Sequence, residues 1–206
     1  MTGKEITIAE LRSEAKGCRA CELWKIGTQT VFGEGGNNAK VMFIGEQPGD
    51  QEDLQGRPFV GPAGKLLDRA LAEAGIDRKT VYMTNVVKHF KWIRRGKRRI
   101  HEKPGTKEIN ACIPWLDGEI AAIRPEIIVC LGATAAQALL GKDFRVTKER
   151  GKWIETEGGG PRIIATVHPS SILRAPNDSR EIEYADFLDD LRVVAKRIAS
   201  RAHPET

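Results

Sequence analysis

Long hydrophobic runs are missing from this sequence. No apolar stretch reaches the ~18 residues that a membrane-spanning helix requires. The first residues, MTGKEITIAELRSEAKG, also lack the apolar segment of a secretory signal peptide. Internal repeats and low-complexity linkers are absent as well. These absences exclude a membrane protein and a repeat array, and they predict a cytoplasmic protein with one domain over residues 1–206.

Cysteine is also scarce, with four residues in a chain of 206. A disulfide framework is disfavoured because the chain shows no secretion signal. Four thiolates are, however, the number required by a closed zinc site or an iron–sulfur cluster. The cysteines alone do not choose between these two metal centres, whose ligands would be Cys18, Cys21, Cys112 and Cys130.

Positive charge is abundant, and it is concentrated in one segment. The chain has a net charge of +5 with 33 Lys and Arg residues, and seven of these lie among the thirteen residues 91–103. Such a density favours a polyanionic partner such as nucleic acid. A single histidine, His101, lies inside the segment. By composition alone, the segment is either a solvated DNA-binding arm with an incidental histidine or part of a functional site.

Short apolar stretches alternate with helical patterns along the chain. The predicted strands cover residues 41–45, 81–88, 126–132 and 162–170, the last of which runs into a polar loop. One of the intervening helices has Pro62 in its first turn and Gly75 at its end. The alternation predicts an α/β fold, a single domain with a mainly parallel central sheet of about four strands flanked by helices.

Three loops leave the carboxyl ends of these strands: GEQPGDQ, KHFKWIRRGKRRIH and HPSSILR. In an open parallel sheet, ligands bind outside the carboxyl ends of the strands, so we expect the loops to meet around one cleft. The first loop offers Glu46 and Gln47 as hydrogen-bonding groups. The third offers His168 beside Ser170 and Ser171, whose hydroxyls suit a phosphate. Ordinary connecting turns and a structural histidine are the alternatives at this point.

Taken together, GEQPG, GRPFVGPAGKLLD, TNVVK and HPSSILR resemble the iron–sulfur uracil-DNA glycosylases of family 4. The resemblance runs from Cys18 to the last strand, which is nearly the whole chain. It implies a uracil-DNA glycosylase-like fold and an enzyme that removes uracil from DNA. It also implies that the four cysteines hold a structural [4Fe–4S] cluster.

Two features depart from the ordinary family 4 pattern. The third residue of the GEQPG motif is Gln47, where the family usually has alanine, and KRRIH (residues 97–101) lies in an inserted basic loop, residues 90–105. Both features are similar to the UdgX branch, whose members become covalently attached to uracil-containing DNA. The resemblance therefore implies a suicide enzyme of single turnover.

The resemblance assigns roles to the residues around the uracil base. Asn85 reads the Watson–Crick edge, because its amide accepts from uracil N3–H and donates to O4, whereas cytosine presents the opposite pattern. Phe59 stacks on the flipped base. Glu46 and Gln47 line the pocket, and His168 donates a hydrogen bond to uracil O2 that stabilises the departing anion.

The resemblance also implies that the partner is uracil-containing DNA, both single-stranded and double-stranded, with no membrane involved. We expect the protein to act as a monomer, because its cleft faces the DNA. The predicted phosphate and duplex contacts come from the basic loop and from the HPSSILR segment, through Lys97, Arg98, Arg99, Ser170 and Arg174.

In this interpretation His101 takes the place of the water that attacks C1′ of the sugar in an ordinary glycosylase. A neutral imidazole held against the sugar is a nucleophile of high effective concentration, and the nearby cationic side chains disfavour its protonation. Glu46 orients the ring or takes its proton. Two rivals stay open: a conventional hydrolytic family 4 glycosylase, and a zinc-containing DNA-binding module without catalysis.

Overall fold

The computed structural model describes residues 6–202, so the ends of the predicted domain, residues 1–5 and 203–206, lie outside it. One sheet contains the strands β1 (Glu34–Gly35), β2 (Val41–Gly45), β3 (Tyr82–Asn85), β6 (Ile127–Leu131), β7 (Trp153–Ile154) and β8 (Arg162–Thr166). A separate two-stranded sheet contains β4 (Trp92–Arg95) and β5 (Arg98–His101).

The helices are α1 (Ile8–Ala15), α2 (Asp50–Gln55), α3 (Pro62–Ala74), α4 (Thr106–Ile123), α5 (Ala133–Leu140), α6 (Val146–Glu149), α7 (Pro169–Arg174) and α8 (Asn177–Ala202). Helices α1, α4 and α5 pack on one face of the large sheet, and α3, α7 and α8 pack on the other. Within residues 6–202, no helix is both long and apolar enough to cross a bilayer.

The large sheet has the order β1-β3-β2-β6-β8-β7. Strands β3, β2, β6 and β8 pair in parallel, and the two-residue strands β1 and β7 pair antiparallel at the edges. The predicted α/β domain with four mainly parallel strands is therefore confirmed, and the two short edge strands make the sheet mixed. They were too short for an alternation pattern to reveal them.

The central strand β2 shows why an uninterrupted apolar run becomes a buried parallel strand. All five of its residues are buried. Successive side chains of a strand point to opposite faces, so Met42 joins the core beneath α1 and α4, while Phe43 joins the core beneath α3 and α8. A strand covered by helices on both faces needs apolar residues at every position.

Local signals fix the ends of two helices, and those of α3 were predicted. Thr7 and Glu10 form a reciprocal capping box at the start of α1, with the Thr7 N–H donating to Glu10 Oε2 at 2.8 Å. Pro62 is the first residue of α3, where its missing N–H has no intrahelical partner to lose. Gly75 ends α3 with φ +78°, a backbone conformation that favours glycine.

Two predicted boundaries were wrong. The strand predicted over 81–88 ends at Asn85, because the chain then turns and the N–H groups of Val86 and Val87 donate to the carbonyls of Gly45 and Glu46. The strand predicted over 162–170 ends at Thr166. The segment that follows is helix α7 and not a polar loop, since His168 accepts a hydrogen bond from the Ser170 N–H and caps the helix.

The basic segment also differs from the prediction, because it is a β-hairpin and not a loop. Trp92 pairs with His101 and Arg95 pairs with Arg98, so two residues, Gly96 and Lys97, make the turn. Gly96 has φ +60°, which short hairpin turns require and glycine adopts without strain. The hairpin gives the segment a fixed geometry.

Candidate active site

The three polar segments that follow β2, β3 and β8 converge as predicted. They enclose a cavity of about 630 Å³ at the carboxyl ends of the parallel strands. The cavity is lined by the predicted site residues Glu46, Gln47, Phe59, Asn85, His101, His168, Ser170 and Arg174, together with Lys103 and the first residues of α5. Side chains that lie far apart in the sequence thus share one cleft.

A carboxylate–imidazole pair lies across this cavity. His101 Nε2 is 3.2 Å from Glu46 Oε1. The His101 side chain is 48% exposed, so a ligand entering from solvent meets it directly. The second carboxylate oxygen of Glu46 accepts a hydrogen bond from the hydroxyl of Thr134. Burial on its own would raise the pKa of Glu46, but the hydrogen bonds from His101 and Thr134 bring this pKa below its usual range.

Gln47 joins the cleft to the base of the hairpin. Its Nε2 donates to the backbone carbonyls of Lys91 and Glu102 at 3.1 and 3.0 Å, and its Oε1 accepts from the Lys91 N–H at 3.1 Å. Lys91 and Glu102 are the residues just outside the two hairpin strands. Gln47 lines the cavity as predicted, yet its three hydrogen bonds all hold the hairpin that carries His101.

Arg99 anchors the same hairpin to helix α2. Its Nε lies 2.6 Å from Asp50 Oδ1 and its Nη1 lies 2.6 Å from Asp53 Oδ2. Asp53 is fully buried and Arg99 is 20% exposed. The guanidinium also lies 5.5 Å from the ring centroids of Phe90 and Trp92. The positive charge predicted to bind DNA phosphates is thus partnered inside the protein, whereas Lys97 and Arg98 are exposed at the hairpin turn.

His168 is held as a neutral imidazole in one tautomer. Burial lowers its pKa to about 4, the Glu46 charge opposes this shift, and the charges of Arg174 and His101 reinforce it. The Ser170 N–H donates to His168 Nδ1 at 3.1 Å, and Ser170 Oγ lies 2.7 Å from the same nitrogen. The Nε2 atom therefore carries the ring proton. The Ser170 hydroxyl, predicted to bind phosphate, contacts this histidine.

Phe59 and Asn85 form the inner end of the cavity. The rings of Phe59 and His168 stack with centroids 6.3 Å apart, and Phe59 has φ +56°, a conformation that a non-glycine residue adopts only under local constraint. Asn85 is 3% exposed, and its backbone carbonyl accepts from Lys88 Nζ at 2.6 Å. A Cβ atom at Gly45 would lie 2.4 Å from Asn85 Oδ1.

None of the four cysteines forms a disulfide, and Cys21, Cys112 and Cys130 belong to the core on the opposite side of β2 from α3. Cys112 and Cys130 are buried, and burial raises their pKa to about 11 and about 12, so a bound cation would be required to hold them as thiolates. Cys18 and Cys21 lie within electrostatic range of Cys112, and Trp115 Nε1 donates to Cys18 Sγ at 3.2 Å.

No three ligand side chains within residues 6–202 converge as they would on a single metal ion. A cubane cluster presents a different demand, because each thiolate binds a different iron atom and the sulfurs stand farther apart than around one zinc ion. Cys18, Cys21 and Cys112 lie within electrostatic range of one another, and Cys130 belongs to the same apolar core as Cys112. A set of four thiol ligands fits that demand.

Sequence reasoning missed four residues of this site. Asp50 and Asp53 follow the GEQPG motif. Their negative charge, opposite to that of the basic segment, was the signal that could have indicated a contact between the two. Thr134 lies in a stretch of small residues whose pattern predicted a helix and no functional role. Gly45 is the end of an apolar strand, and only the three-dimensional approach of Asn85 and Phe59 reveals that a side chain cannot be accommodated there.

Comparison with known proteins identifies the class. The Uracil DNA glycosylase superfamily matches residues 32–192. A type-4 uracil-DNA glycosylase of Thermotoga maritima is 43% identical over 183 residues, which cover 87% of this chain and 91% of that protein. One of Sulfurisphaera tokodaii is 40% identical over 200 residues, covering 93% and 87%. One of Archaeoglobus fulgidus is 40% identical over 187 residues, covering 88% and 90%.

The chain therefore belongs to the uracil-DNA glycosylase superfamily. It is similar to the proteins named type-4 uracil-DNA glycosylase over nearly its whole length, which confirms the family-level part of the resemblance.

Proposed function

We propose that this protein excises uracil from DNA, in base-excision repair, and remains covalently attached through His101 to C1′ of the deoxyribose. The observation that supports the covalent step is the 3.2 Å contact between His101 Nε2 and Glu46 Oε1 in a cavity that also contains Phe59, Asn85 and His168. An imidazole with a carboxylate partner is the arrangement of an activated nucleophile.

Recognition of the base takes place at the inner end of the cavity. The target nucleotide leaves the base stack and enters the cavity, at a cost of a few kcal/mol. The Asn85 amide accepts from uracil N3–H and donates to O4, and cytosine would leave both groups unpaired in a buried place. Phe59 covers the face of the base. Gly45 leaves the room that the base requires between these two side chains.

Departure of uracil places negative charge on the base and positive charge on the sugar. His168 is neutral, and its Nε2–H donates to uracil O2 as the anion develops. A neutral donor fixed by Ser170 needs no reorganisation at the moment of reaction. Ser170 thus fixes the hydrogen-bond donor of the reaction and does not bind phosphate. Arg174, which is exposed at the end of α7, is the residue of this segment that contacts the DNA.

His101 provides the attacking group. A ring nitrogen of neutral His101 forms a bond to C1′ while the bond between C1′ and uracil N1 breaks and its electron pair leaves with uracil. The proton of the resulting imidazolium passes to the Glu46 carboxylate. The product is a neutral N-alkyl imidazole, which is a poor leaving group at neutral pH, so the adduct persists and the protein turns over once.

The hairpin supports this reaction by fixing the position of His101 before DNA arrives. Gln47 holds its base and Arg99 holds its outer strand to α2. Positioning of this kind supplies up to ~7–11 kcal/mol of the barrier reduction in reactions between pre-oriented groups.

The exposed cations of the hairpin turn and of α7 bind the DNA backbone. Lys97 and Arg98 at the hairpin turn, and Arg174 at the end of α7, are the exposed members of the predicted set. We propose that they hold single-stranded and double-stranded uracil-containing DNA, and that the protein works as a monomer.

Cys18, Cys21, Cys112 and Cys130 are proposed to hold a [4Fe–4S] cluster. When bound, the cluster supplies a structural link, because its four ligands leave no open iron position. It ties the segment after α1 to α4 and β6. A brown protein with broad absorbance near ~400 nm is expected of an iron–sulfur cluster, and a colourless protein with bound zinc would overturn this part of the proposal.

The second candidate is a conventional hydrolytic glycosylase, which is favoured by the names of the type-4 relatives. The two candidates differ in stoichiometry. Uracil release measured with excess DNA should stop at one uracil per protein molecule if the adduct forms. Continued release, with free abasic DNA, would establish the hydrolytic function and reduce the hairpin to a DNA-binding arm.

A further inference from the structure

Thr134 lies at a place where its hydroxyl is free to reach across the cavity. It is the second residue of α5, just beyond the carboxyl end of β6, and it is 5% exposed. A threonine inside a helix commonly donates its hydroxyl to the carbonyl four residues earlier. The residue four positions before Thr134 is Cys130, which belongs to strand β6, so the usual intrahelical acceptor is missing. The hydroxyl donates to Glu46 Oε2 instead.

This contact divides the Glu46 carboxylate between two partners. One oxygen faces His101 Nε2 and the other accepts from Thr134. The His101 partner belongs to a hairpin and is half-exposed, whereas the Thr134 partner is buried at the end of the central sheet. The buried partner ties the carboxylate directly to the end of the central sheet.

We infer that Thr134 is a positioning residue, whose hydroxyl holds the Glu46 carboxylate in the orientation that receives the proton of His101. The inference rests on the proposed function, because it assigns Glu46 the role of proton acceptor. Nothing in the sequence motifs assigns Thr134 a role. The residue acts through Glu46 and touches neither the base nor the sugar in this scheme.

Loss of the hydroxyl has a defined consequence for the ionisation of Glu46. The hydrogen bond from Thr134 is one of the contacts that lower the pKa of this carboxyl, against burial, which raises it. Without the hydroxyl, the pKa of Glu46 rises. The reaction also requires a neutral imidazole as nucleophile, and an imidazole protonates at higher pH than a carboxyl, so the acid side of the pH–rate profile does not report Glu46. Loss of the hydroxyl therefore acts on the rate through the orientation of the carboxylate.

The experiment compares Thr134→Val, which keeps the shape and removes the hydroxyl, with Thr134→Ser, which keeps the hydroxyl. Single-turnover rates of uracil release and of adduct formation are measured for both variants at neutral pH. We expect Thr134→Val to lower the rate of adduct formation by about 10-fold to 100-fold, because it removes a hydrogen bond to a charged group. Thr134→Ser should restore the wild-type rate.

A double-mutant cycle separates positioning from a merely structural role. In a Glu46→Gln background, Thr134→Val should have little further effect on the rate, because the group that it positions is already neutral. Equal effects of Thr134→Val in both backgrounds, or a wild-type rate of adduct formation in Thr134→Val, would overturn the inference. If Thr134→Val fails to fold, Thr134→Ala is compared in the same cycle.

The outcome is distinguishable from failure of the proposed function. If the wild-type protein forms no adduct, the covalent function fails, whatever Thr134 does. If the wild type forms the adduct and Thr134→Val keeps the wild-type rate, the covalent function stands and the role of Thr134 fails.

Discussion

Arg99 and His101 lie two residues apart on the same face of β5, and both contact the ring of Phe90. The Arg99 guanidinium carbon is 5.5 Å from that ring centroid, and the His101 ring centroid is 6.2 Å from it. The Arg99 guanidinium forms an ion pair with Asp50 of α2, and His101 Nε2 contacts Glu46 Oε1. The side chain that anchors the hairpin and the proposed nucleophile are therefore successive residues on one face of β5.

The first prediction concerns this anchor. Arg99→Gln should lower the rate of adduct formation by about 100-fold, because a displacement of about 1 Å at the reacting group is enough for such a loss. The charge-matched control is Arg98→Gln, on an exposed side chain of the same strand. Salt-dependent DNA binding should weaken in the control, while its rate at saturating protein stays near that of the wild type. Equal rates for the two variants would contradict the anchoring role.

The second prediction concerns the room for the base. In Gly45→Ala, the new Cβ would lie 2.4 Å from Asn85 Oδ1 and 2.8 Å from Phe59 Cζ, so the base-binding groups must shift. Uracil release under single-turnover conditions should fall by about 100-fold or more. Gly36→Ala is the control, because a Cβ there meets no atom within 4 Å. Wild-type release by Gly45→Ala would show that the base binds elsewhere.

The third prediction concerns the dependence of stability on pH. His168 has a pKa of about 4 in the folded protein against 6.5 for an ordinary histidine. Between these values the unfolded chain binds a proton that the folded protein excludes, so the free energy of unfolding falls as pH is lowered from 6.5 to 4. The contribution is about 3 kcal/mol over this range.

This pH effect is measured by urea denaturation of the wild type and of His168→Gln. The loss of stability between neutral and acidic pH should be smaller in His168→Gln, because glutamine does not titrate. Carboxylates other than Glu46, which interacts with His168, contribute equally to both proteins. Identical pH dependence of the two proteins would show that folding does not lower the pKa of His168.

The fourth prediction concerns a buried ion pair behind Asn85. Lys88 Nζ lies 2.5 Å from Glu119 Oε2 and both side chains are buried. Lys88→Met should lower the free energy of unfolding by about 3–5 kcal/mol, since Glu119 is left as an unpaired buried charge. Adding Glu119→Gln should recover part of that loss. The control pair is Arg192–Asp189, which is exposed, and Arg192→Met should change stability by less than about 1 kcal/mol.

Several parts of the fold could be predicted because their signals are local. The apolar run of β2 has no other stable environment than a covered parallel sheet, and Pro62 and Gly75 set the limits of α3 through their own backbone preferences. The convergence of the site loops followed from the topology of parallel strands. These inferences needed no knowledge of distant contacts.

The basic hairpin could not be predicted in the same way. Its strands are rich in Arg and Lys, so they lack the apolar alternation that identifies a strand. Its geometry depends on partners far away in the sequence, above all Gln47 and the carboxylates of α2. Helix α7 was missed for a related reason, because its cap is the side chain of a histidine, His168, and not one of the usual capping residues.

The covalent role of His101 is tested most directly by mixing the purified protein with a uracil-containing oligonucleotide and separating the products by denaturing gel electrophoresis after boiling in SDS. His101→Ser is run alongside. We predict a protein band shifted by the mass of the oligonucleotide, absent in His101→Ser, with the DNA attached to the peptide that contains residue 101. Unshifted wild-type protein together with free, alkali-sensitive abasic DNA would contradict the covalent mechanism and leave a hydrolytic uracil-DNA glycosylase.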